Sequence, residues 1–246
     1  MGAGGAIDPF HQNTKQLQAV DHMGQLSSNG TYELPFGANH YVGGSSPGWV
    51  QGIINNIQVS GIANYTTGAP ISITGISTIA GGSSNPVVVG SNFDQSLGGG
   101  KISETANGVT YFDGWTTIPD PNPQISSLDG LTSGFSNRVL QDPSGNIVLV
   151  NAQPGQAGNL GAMTVRGPGR FDFDANIVKR IRIDESKTVE MRVDVVNVMN
   201  HPNFSNPTLS INSTGTFGRI TSLASGQNIG GNGGMRSFIM NLRFNF

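Results

Sequence analysis

The sequence predicts an all-β fold of antiparallel, up-and-down strands joined by connections of very unequal length. Three observations predict it. The closing stretch, "MRSFIMNLRFNF", puts Phe238, Met240, Leu242, Phe244 and Phe246 at every second position; Ser237, Asn241, Arg243 and Asn245 lie between them, with Ile239 as the apolar exception. Side chains alternate sides along a strand, so this spacing makes one apolar and one polar face. Composition agrees, because 36 Gly and 13 Pro in 246 residues favour strands, turns and loops over helices. Third, long and short connections alternate along the chain.

Five segments alternate strongly enough to be strands. The first covers Gln25 to Pro35, with modest alternation. The second begins near Gln51. There Ile53, Ile57, Val59, Gly61, Ala63 and Tyr65 share a face opposite Asn56, Gln58, Ser60, Asn64 and Thr66, with Ile54 and Ile62 as exceptions. Its pattern leaves open a continuation past Gly68 and Pro70 into "ISITG". The third, "RFDFDANIVKRIRI", sets Phe171, Phe173, Ala175, Ile177, Ile181 and Ile183 against Arg170, Asp172, Asp174, Asn176, Arg180 and Arg182. The fourth, "KTVEMRVDVVNVM", sets Val189, Met191, Val193, Val195 and Met199 against Thr188, Glu190, Arg192 and Asp194. The closing stretch is the fifth.

Parity restricts how the third and fourth strands pair. Both apolar faces fall on odd numbers, so directly opposed residues must sum to an even number and the loop must be odd in length. Either Asp184–Ser186 or a loop two residues longer satisfies this. The shorter loop opposes Ile181 to Val189, Ile177 to Val193, and Arg180 to Glu190.

Bulk properties exclude several classes. A formal charge of −2 gives no nucleic-acid-binding surface, and the absence of cysteine removes disulfide scaffolds and thiolate metal sites. No run of about 18 apolar residues exists, so no transmembrane helix is expected. That leaves membrane strands open, since about 9–11 residues with one apolar face are enough to cross a bilayer. The opening "MGAGGAIDPFHQNTK" has no basic start followed by an apolar core, so it is not a secretory signal peptide. For a protein outside the cytoplasm, the natural N-terminus is expected to lie upstream.

Loop length separates a barrel from a sandwich. About three residues join the third and fourth strands, whereas 200–234 and 75–169 are long and rich in Gly, Asn, Ser and Pro. An intermediate stretch, "FGANHYVGGSSPGW", joins the first two. Long loops on one side and short turns on the other is the outer-membrane pattern, and a soluble sandwich has no reason to sort loops by side. The predicted fold is therefore part of a transmembrane β-barrel. Its lipid-facing residues would be Phe171, Phe173, Ile177, Ile181, Val189, Met191, Val193, Phe238, Met240, Leu242 and Phe244. Its lumen-facing residues would be Arg170, Asp172, Asp174, Arg180, Arg182, Glu190, Arg192 and Asp194. With the C-terminus periplasmic, 75–169 and 200–234 are extracellular and the 184–186 turn periplasmic. The rival reading of the same alternation is a soluble extracellular β-sandwich, a binding or adhesion module.

Candidate chemistry is sparse. His11, His22, His40 and His201 have no ligand spacing, and no G-x-S-x-G elbow is present. Asp172 and Asp174 share a face, but neighbouring arginines make a charge-balanced wall the better reading of them than an acid–base pair. "GQNIGGNGG" at 226–234 lacks a lysine and precedes a strand, so it is a loop and not a phosphate cradle. "DPNP" at 120–123 reads as a turn ahead of a Ca²⁺ carboxylate. Trp49, at the start of a strand, suits an interfacial girdle or core packing equally; Trp115, in a long loop, could stack on a ligand. No enzyme activity, cofactor or metal is expected.

An ordered set of short motifs then resembles a known family: "YELPFG" (32–37), "GWVQGIINNIQVSGIANYTTGAPISIT" (48–74), "YFDGWTTIP" (111–119), "RGPGRFDFDANIVKRIRIDE" (166–185), "VVNVMNHPNFSNP" (195–207) and "FGRITS" (217–222). With a terminal aromatic strand, the set resembles the C-terminal barrel of TonB-dependent outer-membrane receptors, nearest the Oar-like branch. The resemblance spans 22–246, with 77–110 and 122–158 matching as variable loop. Residues 1–22 are then an N-terminal loop or partial strand, and 23–246 the barrel segment. It implies a barrel of about 22 strands, a plug domain and a TonB-contacting segment, both absent from this sequence. It implies energised uptake of an unidentified ligand in the bacterial outer membrane. Its implied partners are outer-membrane lipid, the TonB complex through the absent N-terminal part, and the barrel-assembly machinery, for which Phe246 occupies the position of the terminal aromatic signal. Roughly five to seven strands do not close such a barrel, and unpaired edges are costly in lipid, so a fragment is expected.

Overall fold

A computed structural model of the chain describes residues 21–37, 40, 42–76, 84–89, 100–106, 108–121, 137–152, 157–224 and 234–246. Two long strands, β1 (Gln25–Glu33) and β2 (Ile57–Thr66), flank helix α1 (Gly48–Ile54). Eight short strands follow: β3 (Pro70–Ile71), β4 (Val87–Val88), β5 (Ser103–Thr105), β6 (Gly108–Thr110), β7 (Thr116–Pro119), β8 (Arg138–Gln141), β9 (Ile147–Val150) and β10 (Val165–Arg166). The chain closes with β11 (Arg170–Arg182), β12 (Thr188–Val196), β13 (Arg219–Ile220) and β14 (Ser237–Asn245). These elements divide into two compact units.

One unit, 24–66, 170–203 and 223–246, is a five-stranded antiparallel sheet in the order β1-β2-β11-β12-β14. Its register obeys the parity rule with the shorter loop, as Ile181 opposes Val189, Ile177 opposes Val193 and Arg180 opposes Glu190. The same parity holds across the sheet, where Tyr32, Val59, Ile177, Val193 and Met240 make one continuous row. Side-chain alternation thus survives every pairing step, and each face keeps its character from edge to edge. Among the described residues β1 and β14 pair on one side only, so the sheet is open and not a closed barrel.

The second strand is shorter than its alternation suggests. It begins at Ile57 because Gly48–Ile54 is helical: Pro47, the N-cap, has φ −54° and an extended ψ of 149°, a φ that its ring fixes. Ile53 and Ile54 therefore belong to α1, and Asn56 reverses the chain in the left-handed region at φ +53°. The strand also ends at Thr66. Gly68 approaches the backbone of Gly167 so closely that a Cβ there would lie 1.7 Å from its carbonyl oxygen, and Pro70–Ile71 pairs with Val165–Arg166 instead.

The other unit, 67–169 and 204–222, takes in 75–169 and most of 200–222, where long irregular loops were expected. It is packed. Sheets β10-β3, β13-β6-β5 and β4-β9-β8-β7 surround a core of Ile73, Tyr111, Phe112, Leu140, Leu149, Ile211 and Phe217. Leu140, Leu149 and Ile211 are fully buried. Strands of two to four residues are too short to display a period, which is why alternation missed them. Buried Asn151 ties three segments together: its Oδ1 accepts Ile76 N–H at 2.9 Å, while its Nδ2 donates to Asn212 Oδ1 at 2.8 Å and to the Arg138 carbonyl at 3.1 Å. Burial pushes the Tyr111 phenol above its ordinary value, and its hydroxyl donates to the Gly167 carbonyl at 3.0 Å. In the β8–β9 turn, the Asn146 backbone N–H leads several donors that hold the Asp142 carboxyl below its usual range.

Candidate functional site

The charged side chains of β11 and β12 collect on one face of the five-stranded sheet. Arg180 pairs with Glu190 across the strands at 2.9 Å, and Arg243 of β14 lies opposite Glu190 on the other side. Arg192 pairs at 2.8 Å with Asp194 two residues along the same strand, to which Asn241 Nδ2 also donates at 3.4 Å. Asp172 accepts Asn203 Nδ2 at 2.7 Å, and Asp174 accepts the Asn197 N–H at 2.8 Å. Arg170 and Arg182 occupy the two ends of β11, opposite Thr66 and Thr188. All eight predicted polar residues therefore share one surface. Both signs are interleaved on it.

Two depressions mark this surface. One, of about 510 Å³, is bordered by Asn29, Thr31, Asp174, Asn176, Arg192 and Asp194. The other, of about 370 Å³, is bordered by Glu33, Gln58, Arg180 and Arg182. Fixed amide, hydroxyl and paired charged groups can hydrogen-bond a polar solute. Asp172 and Asp174 are each held by an asparagine.

The opposite face is apolar and uncovered. Phe238, Met240, Leu242 and Phe244 are 61%, 78%, 58% and 61% exposed, values that leave most of each side chain outside the protein. Met191, Ile177 and Ile181 are exposed, and Phe171, Phe173, Val189 and Val193 are half-buried within the same face. Gly61 leaves room for the neighbouring ring, since a Cβ there would stand 3.2 Å from Phe173 Cε2. Phe246 is almost fully exposed beyond the end of β14.

Sequence reasoning missed several residues of this sheet. Lys179 has an odd number and so falls on the apolar face, where its ammonium bonds the Asn55 carbonyl oxygen. Its parity was the available signal. Asn197 and Asn200, at φ +52° and +50°, shape the connection after β12. Asn197 is buried, with its side chain bonded to both the N–H and the carbonyl of His201. Asparagine tolerates the left-handed region better than other side chains, so the "NVMNHPN" cluster carried a legible turn signal.

Trp49 lies on α1 and not at a strand start, and it is exposed. Trp115 is half-buried against the core of its own unit. His22 Nδ1 lies 2.6 Å from the Thr67 carbonyl, and the His201 ring meets Phe171 edge-on at 6.3 Å. His40 is exposed; His11 lies outside the described residues. Asp120 accepts Asn137 Nδ2 at 2.8 Å, while 122–123 and 226–233 also lie outside the described residues. Among the described residues no group of three or more His, Asp or Glu could hold a metal ion.

Residues 2–237 match the family described as the outer membrane beta barrel domain. No curated protein and no solved structure matches the chain.

Proposed function

Starting from the fact that this chain belongs to the outer membrane beta barrel domain family and so to the bacterial outer membrane, we propose that it serves as barrel wall and external region of a TonB-dependent transporter. The five strands supply wall, and β1 and β14 each take a further strand at their free edges. Phe171, Phe173, Ile177, Ile181, Val189, Met191, Val193, Phe238, Met240, Leu242 and Phe244 face lipid. Arg170, Asp172, Asp174, Arg180, Arg182, Glu190, Arg192 and Asp194 line an aqueous interior. One observation carries this reading: an apolar face left uncovered across five strands, backed by a face of paired charges. Water disfavours such a face, whereas a bilayer requires it.

The packed unit of 67–169 and 204–222 is the extracellular, ligand-meeting part, and the Asp184–Ser186 turn is periplasmic. Phe246 is the mark read by the barrel-assembly machinery. The TonB assignment rests on the ordered motifs from "YELPFG" to "FGRITS". The role is uptake and not catalysis. The rival β-sandwich is less well supported, because in the sheet unit no second sheet lies on the apolar rows among the described residues.

The chain has no cysteine, so single cysteines report orientation cleanly. In lipid vesicles, a water-soluble maleimide should label cysteines at 241 and 243 and spare those at 238, 240 and 242. Equal labelling of both sets would sink the lipid-facing assignment. For the transport role, cells carrying the gene should lose uptake of a siderophore, vitamin, saccharide or peptide when the TonB complex is deleted. Uptake unchanged by that deletion would reject the TonB assignment and leave the barrel standing.

A further inference from the structure

Helix α1 turns its apolar side outward. Its seven residues, "GWVQGII", carry no charge. Trp49 and Ile53, four positions apart, share one side of the helix and are 72% and 61% exposed. Val50, Gln51 and Ile54 are half-buried on the other side. Gln51 spends both of its Nε2 hydrogens inward, on the carbonyls of Gly44 at 3.2 Å and Ser46 at 2.9 Å. The polar side chain of the helix thus faces protein, and its largest apolar one faces out. A water-facing helix would be built the other way round.

The anchoring of the helix places it beside the apolar face of the sheet. Pairing of β2 with β11 ends at Ile57 and Lys179, yet β11 continues to Arg182. The connection from α1 fills that step, with the Arg180 N–H donating to the Asn56 carbonyl at 3.3 Å. Lys179 belongs to the apolar row Ile57, Lys179, Met191 and Leu242, and its ammonium reaches the carbonyl of Asn55, the C-cap of α1. The helix is therefore tied to the apolar side, at the end of the sheet that bears the Asp184–Ser186 turn.

We infer that α1 is a membrane-surface anchor, whose Trp49 and Ile53 enter the headgroup boundary of the phospholipid leaflet on the turn side. The inference rests on the membrane reading proposed above, and adds a lipid contact made by a helix and not by a strand. Two features favour a lipid surface as the occupant. The C-terminal end of α1 is held at the apolar row through Lys179 and Asn55, and indole with its N–H suits the boundary between acyl chains and headgroups. Lys179 would be costly on a lipid-facing row, but the Asn55 carbonyl draws its ammonium toward the helix end, out of the hydrocarbon. A short helix with Trp outward can then sit at the headgroup boundary.

The test uses the full chain carrying Trp115→Phe, which leaves Trp49 as the only tryptophan, reconstituted in phosphatidylethanolamine–phosphatidylglycerol vesicles. Trp49 emission should be quenched more by lipids brominated near the headgroup than by lipids brominated near the chain end, and should be shielded from iodide. A second variant, Trp49→Phe with Trp115→Phe and Met240→Trp, reports the sheet face in the same vesicles. Quenching at 240 with an iodide-accessible, lipid-unquenched Trp49 overturns this inference alone. No lipid quenching at either position overturns the membrane reading as well. Shielding of Trp49 from iodide without lipid quenching, lost on dilution of protein in lipid, would assign the surface to a second copy of the chain and overturn the anchor.

Discussion

The carboxylate of Asp174 accepts the backbone N–H of Asn197 at 2.8 Å, and this bond turns the chain from the end of β12 back across the start of β11. The Val198 N–H continues the turn, donating to the Phe173 carbonyl at 2.8 Å. Two residues separated by 23 positions thereby set where β12 stops and the connection after it begins.

Asn197 carries most of that turn. It is buried, left-handed, and bonded through its side chain to His201 and to the Gly234 carbonyl. Asn197→Ala should destabilise the protein by about 1–3 kcal/mol, since it strands buried groups and strains the backbone. Asn197→Gly should cost less, because glycine relieves the strain. Urea unfolding in detergent checks the order Ala worse than Gly.

The two faces of β14 should respond oppositely to charge. Met240→Arg puts a cation on the uncovered apolar row and should cost about 2–4 kcal/mol in vesicles. Asn241→Arg, one residue away on the polar face, should stay within about 0.5 kcal/mol of the parent protein. Parallel unfolding titrations of the two variants measure the difference.

The packed unit should fail as a unit. Leu149 is fully buried at its centre, and Leu149→Ala should cost about 2–5 kcal/mol through lost burial and a cavity. Limited proteolysis should then cut within 67–169 and 204–222 and spare β11, β12 and β14. Unchanged protease resistance would mean that the segment owes its order to something other than this core.

Tyr111 should give the unit an alkaline limit. Its folded pKa lies above the value of about 10 for an unfolded tyrosine, because burial disfavours the phenolate. Below that unfolded value both states keep the proton, and the contribution is fully present. As pH rises past it, the unfolded chain ionises first and stability is lost up to the higher folded pKa. Tyr111→Phe should flatten that alkaline decline relative to the parent, while costing about 1 kcal/mol at neutral pH for the bond to Gly167. Thermal unfolding across the alkaline range reads both effects.

The strands of the sheet were legible because each is long enough to repeat. From Phe171 to Ile181 the alternation runs for several cycles, and parity with Val189–Val193 then leaves the observed register. Lys179 was legible in principle, as the one charge on an odd position of that row. Gly48–Ile54 misled for a physical reason: seven residues with one polar side chain, Gln51, carry too little pattern to separate helix from strand, and Pro47 and Asn56 flank the helix. The core of Ile73, Leu140, Leu149 and Ile211 was not legible, because its four members come from four separate short segments.

Local alternation by itself determined which side chains share a face, because a strand's two-residue period is covalent geometry and survives any pairing. It also determined that one face repels water and the other pairs charge. Only the tertiary structure decided that the described residues of 67–169 and 204–222 pack around a core, that Asp172 and Asp174 are held by Asn203 and Asn197, and that Lys179 is drawn toward Asn55. Those outcomes join residues tens of positions apart, and no local period encodes which distant segments will meet.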